Sequence, residues 1–215
     1  VALRVTTWRW GSKYPQFYVD RLAAGLRRHL AQPYDFRVIV PQDEDAALTA
    51  IPGCLARLRA FDPAWQAAQG FEAGDRIVCL DLDLVITGPL DALFDRPENF
   101  VILQGANASN PCPYNGSVWM LRAGHYPHVW QDFSLDALRI TNYFEFPDDQ
   151  GWFAHTLPGA AGWQVGPSSG LYAYKKPMWP KGDALPKDAR IVAFPGWRDP
   201  SAFEHLDWVK EHWRA

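Results

Sequence analysis

The stretch that most constrains this chain is Arg76-Ile77-Val78-Cys79-Leu80-Asp81-Leu82-Asp83-Leu84-Val85-Ile86. An apolar, β-favouring run that carries two carboxylates is the pattern of a buried strand ending at a charged edge. Residues two apart in an extended backbone share a face, so Asp81 and Asp83 converge while Leu82 and Leu84 return to the core. Two anions held that close repel each other. A hard divalent cation, Mg²⁺ or Mn²⁺, takes oxygen ligands, brings waters or phosphate oxygens of its own and relieves the repulsion. The stretch therefore points to a metal-diphosphate site on Asp81 and Asp83. The bland reading beside it is a strand end whose aspartates cap the next turn, because an Asp-x-Asp triplet is short enough to arise by chance.

The segments around it read as an alternation of strands and helices. Leu3 to Thr7 is a strand, Gly11-Ser12-Lys13 the loop at its carboxyl end, and Pro15 to Leu30 a helix with Phe17, Tyr18, Leu22, Leu26 and Leu30 at helical spacing. Phe36 to Val40 is a second strand. Strand, helix, strand opens a parallel α/β sheet whose ligands bind beyond the carboxyl ends of the strands, which places Thr6, Thr7 and Tyr14 at the site. Leu55 to Phe61 is a short helix carrying Arg57 and Arg59, Phe100 to Leu103 a strand, and 104–114 an Asn/Gly/Pro-rich loop. Asn115 to Leu121 is a strand entered through a tight turn that brings Asn115 close to the aspartates. Tyr126 to Leu138 is a helix with Trp130 and Phe133 inward; Pro127 between His125 and His128 spoils the geometry of a metal pair. Pro147-Asp148-Asp149-Gln150 starts a helix with acids at its positive end, and on spacing alone capping is the stronger reading. Residues 159–186 have little periodicity and carry Lys175 and Lys176. Arg190 to Phe194 is a late strand, and Phe203 to Trp213 a helix docked on the core or, as the second reading, a weak peripheral membrane contact.

At 215 residues, with no repeat and no linker, the chain is expected to be one domain over 1–215. A net charge of −3 offers no general attraction to nucleic acid. No stretch has the apolar length of a membrane span and the N-terminus lacks the pattern of a secretion signal, so the expected location is cytoplasmic. The three cysteines have no zinc spacing and no basic neighbour to make a nucleophile; Cys79 reads as core and Cys112, between two prolines, as more exposed. Among eleven tryptophans, Trp163, Trp179 and Trp197 fall in Gly/Pro-rich segments and suit stacking on a sugar ring or a base.

Five motifs occur in one order: Trp10-Gly11-Ser12-Lys13-Tyr14; Leu80-Asp81-Leu82-Asp83 with Gly88-Pro89-Leu90; Tyr114-Asn115-Gly116-Ser117-Val118; Asp149-Gln150; and Val192-Ala193-Phe194-Pro195-Gly196. In these, over nearly its whole length, the chain resembles GT-A glycosyltransferases and is similar to the small bacterial members related to glycosyltransferase family 8. The resemblance implies an α/β, single-domain, Rossmann-like nucleotide-diphospho-sugar transferase fold with a mostly parallel central sheet. It implies a hexosyltransferase that moves a sugar, with retention, from a nucleotide-diphosphate donor, usually a UDP-sugar, to a glycan or other hydroxyl acceptor. It also implies Mn²⁺ or Mg²⁺ on Asp81 and Asp83, Thr6, Thr7 and Tyr14 around the base with Tyr14 as the stacking ring, and Arg57 as the basic residue before the metal strand. Asn115, Asp149 and Gln150 would face sugar and acceptor. The chain departs from the family where a histidine supplies a third metal ligand, since Ala193 stands there. The lysine that follows is also out of register, which leaves Arg198, Lys176 or, counted here with the donor site, Lys175. Two other classes share parts of this pattern. A haloacid-dehalogenase-type phosphatase would use the aspartates as nucleophile and acid/base, but Leu84-Val85 stands where it needs Gly-Thr. A catalytically silent sugar- or nucleotide-binding module would not need the missing histidine.

Overall fold

A computed structural model describes residues 1–106, 111–139, 141 and 148–215; Pro147, at the expected helix start, lies outside them. The expected first unit is present as β1 (Leu3–Trp8), α1 (Gln16–His29) and β2 (Tyr34–Ile39), with β1 and β2 paired in parallel along their whole length. Helix α1 buries Tyr18, Val19, Leu22 and Leu26 and places Arg27, Arg28 and His29 in its last turn, against the negative end of the helix dipole.

The apolar stretch read as one strand over 76–86 is two. β3 (Arg76–Leu80) lies in the main sheet and β4 (Leu84–Ile86) in a second one, with Asp81-Leu82-Asp83 as the crossing. β1 accompanies β3 only as far as Cys79, so past that point the ladder on one side is lost and the chain leaves to pair with a later strand. Leu82 and Leu84 do return to the core, at 2% and 1% exposure.

The remaining strands are β5 (Phe100–Gln104), β6 (Tyr114–Arg122), β7 (Ala161–Gln164), β8 (Leu171–Ala173) and β9 (Ile191–Ala193). The main sheet has the order β2-β1-β3-β6-β5-β7 and the small one β4-β9-β8. β6 runs antiparallel to β3 and β5 while the other main-sheet pairs are parallel, so the central sheet is mostly parallel. Short helices fill the connections: α2 (Ala46–Thr49), α3 (Pro63–Ala68), α4 (Asp91–Phe94), α5 (His128–Gln131), α6 (Leu135–Leu138), α7 (Asp149–Thr156) and α8 (Asp207–His212).

Both faces of the main sheet are covered, which is why its strands are apolar without alternation. Val78, Leu80, Val118 and Met120 pack with α1 and with Trp208 and Val209 of α8. Cys79, Trp119 and Leu121 pack on the other face with Leu55, Leu58, Phe61 and Phe153. There the rings of Phe61, Phe100, Trp119 and Phe153 lie 5.4 to 6.3 Å apart. Burying such a side chain stabilises by roughly 1.5–3 kcal/mol.

Four expectations need correction. The single helix over 126–138 is α5 and α6: the left-handed Tyr126 (φ 55°) delays the start, and Ser134 begins a new helix by accepting from the Ala137 N–H at 3.0 Å; Trp130 and Phe133 are only half-buried. Cys112 is buried at 4% exposure. Trp163 is buried in β7, and Trp179 packs edge-on to Tyr174 at 4.9 Å, so neither is free to stack on a ligand. The C-terminal segment, a 3-10 helix (Pro200–Phe203) followed by α8, docks on the core through Trp208, Val209 and Trp213. Its apolar residues thereby pack on the core, the first of the two readings of this segment. Among the described residues no helix is long and apolar enough to cross a membrane.

Candidate active site

At the carboxyl ends of β1 and β3 the chain opens into a cleft of two adjoining chambers, about 170 and 200 Å³, that share Lys13, Tyr14, Cys54, Arg57 and Asp81. Trp8 and Trp10 wall the first. Asp83, Asn115, Asp148, Asp149 and Gln150 line the second, with Phe194, Pro195 and Gly196 as its lip.

Arg57 is the hub. Its segment is the expected short helix, in 3-10 form (Leu55–Phe61), entered through Cys54 in the left-handed conformation at φ 56°. The guanidinium is nearly solvent-free, with its side chain 5% exposed. Nε donates to Asp149 Oδ2 at 2.8 Å and Nη2 reaches the same oxygen at 2.5 Å. Nη1 donates to Asp81 Oδ1 at 2.5 Å and to the Gly116 carbonyl at 3.0 Å. Burial disfavours its charge, but Asp149 and Asp81 outweigh burial and hold Arg57 well above its ordinary range. Gly116 is required beside it: a Cβ there would stand 2.6 Å from Nη2. Burial pushes Asp149 up to about 7 against the pull of Arg57.

The start of α7 separates two roles that spacing alone merges. Asp148 is the cap, accepting from the Gly151 N–H at 2.8 Å and from Gln150 Nε2 at 2.6 Å. Asp149, one residue on, turns inward to Arg57. The Gln150 amide is held at both ends, because its Oε1 accepts from the Gly116 N–H at 3.1 Å. Asn115 Oδ1 accepts from the Ser117 N–H at 3.1 Å, which fixes the turn into β6.

Asp83 has a different environment. Among the described residues its side-chain hydrogen-bond partner is the Tyr14 hydroxyl, which donates to Oδ2 at 2.7 Å. Burial first, and then Asp81, push its carboxyl up to about 7. Tyr14 is raised in turn by burial and by Asp83, and the Lys13 ammonium lies 4.5 Å from the centre of its ring.

The cleft thus unites Tyr14, Arg57, Asp81, Asp83, Asn115, Asp149 and Gln150. It leaves out three expected residues. Thr6 Oγ1 donates to the Val78 carbonyl at 3.2 Å inside the sheet, and Thr7 is fully buried, so neither side chain lines the cleft. Lys175 is paired with Asp183 at 2.7 Å. Lys13, Trp8 and Trp10 line the cleft without having been singled out. Following β1 through to Trp8 would have exposed the two tryptophans at i and i+2. Among the described residues no three His, Cys, Asp or Glu side chains converge as metal ligands. Ala193 sits opposite Leu84 in the small sheet, buried at 1% exposure, and supplies no ligand.

No family model and no curated protein sequence matches the chain. Solved structures do. A glycosyltransferase involved in the glycosylation of the major capsid of PBCV-1 superposes with a TM-score of 0.59 at 16% identity, over 95% of this chain and 98% of that one. LgtC, a galactosyltransferase solved with donor and acceptor sugar analogues, gives 0.55 at 10% identity over 99% and 97%. GlyE of Streptococcus pneumoniae TIGR4 gives 0.62 at 14% identity over 98% of this chain and 63% of that one. The fold is that of the GT-A glycosyltransferases. In this GT-A fold the aspartate pair follows the third strand of the chain, whereas the phosphatase alternative expects it on the first.

Proposed function

We propose that the chain is a glycosyltransferase that moves a hexose from a UDP-sugar to a hydroxyl acceptor, with retention and with divalent-cation assistance. The observation that carries this reading is the arrangement of Asp81 and Asp83 in one cleft, the first ion-paired to Arg57 and the second, among the described residues, in no ion pair, with the Lys13 charge offsetting it in part.

Charge balance supports the cation. Lys13 and Arg57 face Asp81, Asp83, Asp148 and Asp149 across the second chamber, so a diphosphate entering alone would meet an excess of negative charge. The donor set is all oxygen, and burial together with the Asp81 charge outweighs Lys13 in disfavouring the Asp83 carboxylate, so the residues fit a hard cation. Mn²⁺ or Mg²⁺ held by Asp81 and Asp83 would supply the charge that offsets the departing diphosphate.

This chain's own residues do the rest. Arg57 is committed to two carboxylates and a carbonyl and therefore sets their positions, while Lys13, which lines both chambers and has no ion pair among the described residues, is placed to meet phosphate. Trp8, Trp10 and Tyr14 offer the first chamber to a base. Asn115, Asp149 and Gln150 face the second, where the anomeric carbon passes through an oxocarbenium-like state. The bond from C1 to the phosphate oxygen breaks and a bond from C1 to the acceptor oxygen forms on the same side. The acceptor's proton passes to the departing diphosphate, so no protein base is required.

The test is release of UDP from a panel of UDP-sugars, with and without Mn²⁺, in wild type and Asp83→Asn. Metal-dependent release by wild type alone is expected. Phosphate release from monoesters would favour the phosphatase, and no turnover together with metal-dependent UDP binding would favour the silent module.

A further inference from the structure

We propose that Trp197 is a stacking platform for a pyranose of the acceptor, which makes the acceptor itself a glycoside. The inference rests on the glycosyltransferase reading and narrows its acceptor.

Trp197 is 82% exposed, and among the described residues it is the most exposed large apolar side chain after the terminal Val1. Leaving an indole there forgoes the stabilisation that other tryptophans of this chain gain by burial, such as Trp119, Trp152 and Trp163. Its position ties it to the cleft, since the three residues before it, Phe194, Pro195 and Gly196, form the lip of the second chamber.

The turn that presents it is anchored on both sides. Phe194 stacks on Tyr174 at 5.1 Å and on Trp208 at 6.1 Å. Asp199 accepts from the Tyr18 hydroxyl at 2.7 Å and from the Ser201 N–H at 2.9 Å. Between these anchors Gly196 reverses the chain at φ +78°. Little ordering of the backbone is left to be done when a ligand arrives.

The Arg198 guanidinium lies 5.0 Å from the Trp197 ring centre, and among the described residues it has no carboxylate partner. The guanidinium covers one face of the indole and holds the ring, and the other face is left to the C–H face of a pyranose. Sited at the lip of the sugar-facing chamber, this pair suits the ring that carries the attacking hydroxyl.

Saturation-transfer NMR with methyl β-D-galactopyranoside and methyl β-D-glucopyranoside tests the assignment in wild type, Trp197→Ala and Trp197→Phe, with UDP titration in Mn²⁺ run on all three. The expected result is transfer to ring C–H protons of at least one glycoside in wild type. It should fall about three- to tenfold in Trp197→Ala and be largely kept in Trp197→Phe, with UDP affinity unchanged. Equal transfer in Trp197→Ala, or none from a wild-type protein that binds UDP, would overturn the platform. Loss of binding to anionic lipid vesicles in Trp197→Ala with unchanged glycoside transfer would assign the residue to a membrane surface instead. Failure of wild type to bind UDP would count against the glycosyltransferase reading, separately from the glycoside result.

Discussion

Asp81 and Asp83 are one residue apart, yet the two sides of the cleft treat them differently. Asp81 lies on the Arg57 side, where one buried guanidinium joins it to Asp149 and to the β6 backbone. Asp83 lies on the Tyr14 side, where a neutral hydroxyl is its partner and burial pushes its carboxyl up to about 7. The Arg57 side is a finished structural device, and the Tyr14 side is a charge awaiting compensation. An Asp-x-Asp pair is thus two different groups, and the demand for a cation resides mainly in the second.

Removing the hub should have the largest effect. Arg57→Met leaves Asp149 buried without its counter-charge and is expected to cost about 3–5 kcal/mol in urea unfolding. A loss below about 1 kcal/mol would mean that the Arg57 side is not the buried device described. The next effect concerns function on the other side. Asp83→Asn should weaken UDP binding in Mn²⁺ roughly 100-fold, or about 2.7 kcal/mol, while the metal-free protein gains stability at pH 8 because the uncompensated charge is gone. A destabilised Asp83→Asn protein would contradict the contrast.

The pH dependence has a definite sign. Folded Asp83, raised from 3.8 to about 7, keeps a proton through a window in which the unfolded chain has released it. Without metal, its contribution makes stability fall as pH rises from about 4 to about 7 and level off above. Mn²⁺ must displace that proton, so affinity should rise by up to about tenfold per pH unit through the upper part of the window. Calorimetry in buffers of different ionisation enthalpy reads the released proton, and Asp83→Asn should abolish it. Smallest is Tyr14→Phe, which removes one hydrogen bond to a carboxylate and should weaken metal-dependent UDP binding by about 1.5 kcal/mol.

The fold was legible where periodicity is strong and local. β1, α1, β2, β5 and β6 follow the sequence closely because each pattern is long enough to have one solution. The split of residues 76–86 was not legible, since the apolar run is continuous and only the loss of the β1 ladder past Cys79 sends the chain into the second sheet. β7 and β8 hid in a Gly/Pro-rich stretch for the related reason that three- and four-residue strands carry almost no period. In the site, the Asp-x-Asp spacing led to both carboxylates, the order of strands and loops to Tyr14 and Asn115, and the resemblance added Arg57, Asp149 and Gln150. What the sequence could not tell was partnership. Capping and ion pairing look alike at Asp148-Asp149 until Arg57, 92 positions away in the chain, chooses the second. The side chains of Thr6, Thr7 and Lys175 do not line the cleft, and the burial of a β1 residue or the pairing of a loop lysine depends on neighbours that are distant in sequence or unmarked by any pattern.

The central claim is that Asp81 and Asp83 hold a metal-bound diphosphate without a third protein ligand at Ala193. Calorimetric titration of the wild-type chain with UDP, with and without Mn²⁺ at pH 7.5, tests it most directly. The account predicts binding with Mn²⁺ and none, or far weaker binding, in its absence. Equal affinity in both conditions, or no binding in either, would contradict it.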